Sequence, residues 1–164
     1  MKRLLTHLFS GPWLVGRYFS PDDLERITQA ITQSEHRHSA ELRFCVEGAL
    51  DPREIWRGVS PRERAIETFS ELRIWDTPRS NGVLLYLLLA DHDIEIVADR
   101  AINERVGGAE WGAICGEIEA SFRENRCVEG VLRGIERISN LLAAHFPSNG
   151  PRENDLPNEP VVKP

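Results

Sequence analysis

Trp75 to Arg100 reads WDTPRSNGVLLYLLLADHDIEIVADR, and this stretch decides the fold. A polar loop, Asp76 to Asn81, leads into an apolar run, Val83 to Leu89, whose one polar side-chain atom is the Tyr86 hydroxyl. A turn at Ala90 to Asp93 follows, then a second apolar run, Ile94 to Ala98. An uninterrupted apolar run bounded by turn residues is the pattern of a strand buried on both faces. Asp91-His92 leaves room only for a tight reversal, so the two runs form a β-hairpin in the middle of a sheet. A two-residue turn sets Leu89 opposite Ile94, Leu87 opposite Ile96 and Leu84 opposite Asp99. Asp99 and Arg100 then return to the level of Asn81 and Gly82. They share one sheet end with the loop residues Asp76, Thr77, Arg79 and Asn81.

The chain has 164 residues, 41% hydrophobic and 28% charged, which suits one globular domain with a core of its own. A net charge of −6 argues against a nucleic-acid binder that relies on phosphate contacts. Cys45, Cys115 and Cys127 show no metal-ligand spacing. An odd count, with two of the three on apolar faces, predicts free, buried thiols and a reducing, cytoplasmic setting.

Residues 1–19 carry Lys2, Arg3 and Arg17 and no acid. Thr6-His7 and Gly11-Pro12 interrupt the apolar residues, so the segment lacks a secretory leader's core and any membrane span. It reads as a basic, aromatic segment packed on the domain, with a membrane-peripheral contact as the alternative. Ser20-Pro21 opens a first long helix to about Arg37, with Leu24, Ile27, Ala30 and Ile31 on one stripe. His36 and His38 follow it as a solvated helix end, with metal ligation the weaker reading. Glu41 to Glu47 alternates as a first strand, Leu42, Phe44 and Val46 inward, Arg43 and Glu47 outward. Residues 49–59 read as a loop anchored by Ile55 and Trp56. Ser60-Pro61-Arg62-Glu63 is a capping box that starts a second helix. Two amphipathic helices, 109 to about 125 and 127 to 145, complete the domain. Residues 20–147 form that domain. Residues 148–164, rich in proline and poor in large apolar residues, read as a disordered tail.

Several catalytic patterns are excluded. Asp91-His92-Asp93 follows a strand as the carboxylate pair of an aspartate-nucleophile phosphatase would, but Ile94-Glu95 re-enters a strand at once and leaves no loop. No phosphate-cradling glycine loop and no GxSxG nucleophile turn is present. Arg37-His38 is followed by Ser39 rather than the glycine of a histidine phosphatase. What stays is the oxygen-rich set Asp76, Asn81, Asp99 and Glu41, whose donors suit a hard cation, Ca²⁺ or Mg²⁺. Arg79 and Arg100 are its anion-binding candidates, or else pair with Asp76 and Asp99 as a salt-bridged cluster; plain solvation is the third reading. No catalytic residue is assigned.

Trp75-Asp76-Thr77, Asn81-Gly82-Val83-Leu84 and the strand ending Val97-Ala98-Asp99-Arg100 resemble the TPM domain family. Residues 34–43, Trp111 and the closing His145-Phe146-Pro147 extend the resemblance over roughly 12 to 147. It implies a three-layer α/β/α sandwich, a small central mixed sheet that contains the hairpin, with helices on both faces. Divalent-cation binding and weak acid phosphatase activity have been attributed to some members. The resemblance thus implies a non-catalytic interaction or divalent-cation-binding module associated with membrane-protein maintenance. Its partner would be a protein at the membrane, and the chain is expected to be a cytoplasmic monomer. The alternative is a weak metal-dependent acid phosphatase.

Overall fold

The computed structural model describes residues 2–10, 13–150 and 154–164. Met1, Gly11-Pro12 and residues 151–153, parts of the two end segments read above, lie outside the described residues. In chain order come α1 (Lys2–Phe9), α2 (Trp13–Tyr18), α3 (Pro21–Glu35), β1 (Glu41–Glu47), α4 (Pro52–Trp56) and α5 (Pro61–Glu71). Then follow β2 (Gly82–Leu88), β3 (Asp93–Ala98), α6 (Arg100–Asn103), α7 (Gly108–Arg123), α8 (Cys127–His145) and β4 (Val161–Lys163).

The strands lie in the order β3-β2-β1-β4. β1 pairs parallel with β2 and with β4, and β2 pairs antiparallel with β3. Every residue of β2 is buried, because it has a strand on each side and helices over both faces. One face, Leu42, Phe44, Val46, Val83, Leu85, Leu87 and their neighbours, packs under α3, α7 and α8. The other face, Cys45, Leu84, Tyr86, Leu88 and Val97, packs under α5 through Ala65 and Phe69. The α/β/α sandwich with a central mixed sheet is therefore as expected.

Local sequence explains where the helices start. Ser20 and Ser60 each accept a hydrogen bond from the third helical N–H, and the Asp23 and Glu63 carboxylates in turn accept one from the cap N–H. Proline occupies the first helical position of both. The turn between α7 and α8 is tight because Asn125 adopts a left-handed φ of 56°, a conformation asparagine tolerates.

The structure corrects several expectations. The hairpin pairs Leu87 with Ile94, Leu85 with Ile96 and Val83 with Ala98, two residues from the expected register. The loop is longer than a two-residue turn: Leu89 and Ala90 donate to the carbonyls of Glu47 and Gly48, and His92 turns the chain with φ 53°. A shift of two leaves every side chain on its expected face. Residues 49–59 contain α4, capped by Asp51 and Glu54. Trp56 does not anchor that segment, being 89% exposed. Arg43 and Glu47 point to covered ground, at 7% and 4% exposure, rather than outward. Their cover is α5 and the segment after α8. Over its described residues 154–164 that segment is not a disordered tail: it lies along β1 and ends in β4. A strand added at a sheet edge needs backbone hydrogen bonds more than buried side chains, so composition alone concealed it.

α1 is held by its polar residues. His7, 4% exposed, accepts from Leu50 N–H at 2.9 Å through Nδ1, and its Nε2 lies 3.0 Å from Asp91 Oδ1. Arg3 forks onto the Asp91 carboxylate at 3.0 and 2.7 Å and donates to Val59 O at 2.9 Å. Burial pushes the Asp91 carboxyl up, but the hydrogen bonds from Arg3 and His7 outweigh it and hold the pKa below its usual range. Asp91 is thus the anchor of α1 as well as a hairpin residue.

Asp93, two residues on, has the opposite environment. Burial, then the charges of Glu95, Glu119 and Asp91, push its carboxyl up to about 6. Between an unfolded value of about 4 and that folded value, the folded chain holds a proton the unfolded chain has released. Its stability therefore falls as pH rises through this window. Asp93→Asn is expected to stabilise by about 1–2 kcal/mol near pH 7.5, after discounting for solvent screening, and to give no gain near pH 3.5. Thermal unfolding at the two pH values checks this, and equal effects at both would remove the assignment.

All three cysteines are free. Burial pushes the thiols of Cys45 and Cys115 up to about 12 and that of Cys127 to about 11, so none is a thiolate near neutral pH.

Candidate functional site

The oxygen-rich residues of the sequence reading gather around Gly82. Glu41 is the register partner of Gly82 on β1, and its N–H donates to Asn81 O at 3.1 Å. On the other side, Asp99 N–H donates to Gly82 O at 2.9 Å. Three of the four residues, Glu41, Asn81 and Asp99, thus reach one sheet end. The fourth, Asp76, sits exposed on the loop between α5 and β2.

The loop is built tightly. Thr77 Oγ1 accepts from Asn81 N–H at 3.1 Å. Ser80 adopts φ 49°, donates to Thr77 O at 3.1 Å and accepts from Ala101 N–H at 3.2 Å. A serine held in the left-handed region costs about 1–2 kcal/mol, which the loop's other bonds must over-determine. Asn81, 3% exposed, donates its Nδ2 to Ser39 O. Asp99 caps α6: its Oδ1 accepts from Arg100 N–H at 2.6 Å, and its carbonyl accepts from Asn103 N–H at 3.0 Å.

After these bonds two oxygens stay without a partner, Asn81 Oδ1 and Asp99 Oδ2, both buried. Only four buried side-chain polar atoms among the described residues lack a hydrogen bond. Two of the four lie beside one glycine, so unmet hydrogen-bonding capacity is concentrated at this sheet end. The expected arginine pairing is not formed: among the described residues neither Arg79 nor Arg100 makes an ion pair with Asp76 or Asp99, and both are exposed. Glu41 is committed elsewhere. Fully buried, it accepts from Leu156 N–H at 3.3 Å and so serves the segment after α8.

The histidine pair is not brought together. His38 is a satisfied core residue, with Nε2 2.8 Å from Ser34 Oγ and Nδ1 donating to Ala40 O at 3.1 Å. His36 caps α3. Among the described residues no three of His, Cys, Asp and Glu cluster as a metal cage. What the structure brings together is one amide oxygen, Asn81 Oδ1, and one buried oxygen of the half-buried Asp99 carboxylate.

Sequence reasoning passed over a second polar cluster, on the α5 face. Arg64 forks onto Glu47 at 3.0 and 2.9 Å, and Tyr86 donates its hydroxyl to Glu47 Oε2 at 2.5 Å. Burial pulls the Arg64 pKa down, but the hydrogen bonds and charge of Glu47, with Glu54 and Glu71, hold it above its ordinary value. Burial, and then the Glu47 charge, push the Tyr86 hydroxyl up. The signal was present: a lone tyrosine hydroxyl inside an apolar run needs a buried acceptor.

This geometry coincides with a family pattern. The TPM domain model matches residues 16–141, from α2 into α8, and includes the whole of the Asn81/Asp99 sheet end. The chain belongs to the TPM domain family. Among solved structures, this TPM domain is similar to the BA42 protein from the psychrophilic bacterium Bizionia argentinensis. The two share 26% identity at a TM-score of 0.77, over 88% of this chain and 94% of that one. It also resembles the N-terminal domain of a protein from P. gingivalis, with a TM-score of 0.65 over 82% and 83% of the two chains. At 12% identity that likeness shows the fold alone. No curated protein matches the chain. α1 and β4 both lie outside the matched span of the TPM domain, and among the described residues no helix is long and apolar enough to cross a membrane.

Proposed function

We propose that this TPM domain is a non-catalytic, divalent-cation-binding module, with Ca²⁺ or Mg²⁺ held at the Gly82 sheet end. The supporting observation is the pair of buried, unpartnered oxygens, Asn81 Oδ1 and Asp99 Oδ2. Hard cations take oxygen ligands, and an amide oxygen beside a carboxylate is a donor set they accept. Asp76, on the exposed rim of the same loop, would add a third oxygen, and Arg79 and Arg100 would meet an anion brought by the cation or by a partner. Glu41, occupied by the Leu156 N–H, is left out of the ligand set. A site with so few charged ligands belongs in the weak, roughly 10⁻⁴–10⁻³ M class. In this reading the cation sets how the domain engages a protein partner at the membrane.

The test uses a conservative variant. Asn is as good a helix cap as Asp, so Asp99→Asn keeps the α6 cap and removes only the charge. At about 10 mM, Ca²⁺ or Mg²⁺ is expected to stabilise the wild type by ~1–3 kcal/mol and to leave Asp99→Asn unchanged. A wild type whose melting temperature ignores both cations would sink the site. Cation-dependent release of phosphate from a simple phosphate monoester, lost in Asp99→Asn, would replace the non-catalytic reading with metal-dependent hydrolysis.

A further inference from the structure

β1 carries Glu41, Arg43, Cys45 and Glu47 on its α5 side, a polar set for a strand in which every residue is buried. The segment after α8 covers much of it. Arg43 donates to Pro157 O, Leu156 N–H donates to Glu41, and Asn158 Nδ2 donates to Thr32 Oγ1 at 3.0 Å. Val161, Val162 and Lys163 then pair with Cys45, Val46 and Glu47. Gly48 N–H donates to Lys163 O at 3.1 Å. Lys163 Nζ donates to Thr68 Oγ1 at 3.2 Å and to the Glu71 carboxylate, both on α5.

We infer that the outer edge of β1, together with α5, is a receptor site for an extended peptide of the pattern aliphatic-any-lysine, filled in this structure by the chain's own Val161 to Lys163. Strand addition of this kind draws affinity from main-chain hydrogen bonds and specificity from alternate side chains. Val161 packs inward against the Cys45 and Leu50 cluster. Val162 points out, at 47% exposure, and carries no specificity. Lys163 reaches Thr68 and Glu71 on α5, the latter shared with Arg64.

Three observations make the occupant a replaceable ligand rather than part of the core. None of the described residues from 146 to 164 is buried, although the strand beneath them is. Open space flanks the segment at both ends. One cavity, of about 660 Å³, lies between α3 and the segment, bordered by Thr32, Glu35 and Asn158. The other, of about 500 Å³, lies beyond Lys163, bordered by Glu47, Leu50 and Arg64. Finally, β4 falls outside the span matched to the TPM domain, which ends at residue 141. A tethered strand competes at millimolar effective concentration, so an outside peptide enters only when the tether is weak or the peptide abundant.

The test keeps the full chain. The probe is a synthetic peptide of residues 154–164, NDLPNEPVVKP, added to isotope-labelled protein while the Gly48 and Ala49 amides are followed by NMR. Lys163→Glu weakens the tethered strand. This variant is expected to bind the peptide with shifts at both amides, and the wild type to need about tenfold more peptide for the same shift. The same peptide with glutamate in place of its lysine is expected to shift neither. Val161→Asp is the second weakened chain. No shift in either variant at millimolar peptide overturns the proposal. So does unfolding of both variants, which would make the segment structural. Concentration-dependent dimers formed by exchange of residues 154–164 would assign the edge to self-assembly and overturn the partner reading.

Discussion

Gly82→Ala is expected to destabilise the protein by about 3 kcal/mol or more, a large effect for one added methyl. A Cβ at this position would sit 2.1 Å from the carbonyl oxygen of Ile74 and 2.6 Å from its Cγ2. A backbone oxygen cannot swing aside as a long side chain can, so the loop carrying Asp76, Thr77 and Ser80 has to move. Urea unfolding measures the loss, and the cation response proposed above should vanish with it. A loss below about 1 kcal/mol would show that the loop yields without strain.

Arg64→Met is the second large effect, about 3–5 kcal/mol, because it strands a carboxylate that the fold has taken out of water. The side chains of Arg64 and Glu47 are 12% and 6% exposed, so little solvent reaches the carboxylate to replace the missing partner. Tyr86 would still donate to Glu47, yet one hydroxyl does not balance a buried charge. Arg64→Met combined with Glu47→Gln removes the charge as well, and should recover roughly 2 kcal/mol of the loss. Chemical denaturation of the two single variants and the double variant checks this. A double variant as unstable as the sum of its singles would mean the two residues act independently.

How far the sequence reached is clearest at β2 and β1. The apolar run of β2 could only be an interior strand, and its burial at every position follows from that. β1 misled because alternation was read as inside and outside. Its polar residues alternate instead between a hydrophobic layer and a polar one, where Arg64 and the 154–164 segment supply partners. No local pattern announces partners more than a hundred residues away in the chain. The hairpin's level was legible although its register was not, since a shift of two preserves the faces and brings Asp99 to Gly82. At the candidate site, Asn81 and Asp99 were legible as oxygen donors at one sheet end. That Asp76 would stay exposed, and that Glu41 would be claimed by Leu156, depended on loop path and chain crossing. Composition tests for a core, so it does not disclose the order of residues 154–164. A strand that rests on another strand's edge needs only backbone groups and a short β-branched pair such as Val161-Val162.

The same strand order has a consequence during synthesis. Lys163 emerges from the ribosome about 115 residues after its register partner Glu47, so at ~5–20 residues per second its partner waits on the order of ten seconds. Once β2 has followed, and for the rest of that interval, β1 can already be paired with β2 while its outer edge has no neighbour. An unpaired edge is a template for any other extended chain, including a sister chain on the same polysome. Translation rate between β2 and β4 therefore bears on how much of the product escapes aggregation, and a product cut short before Val161 would carry the open edge for its lifetime.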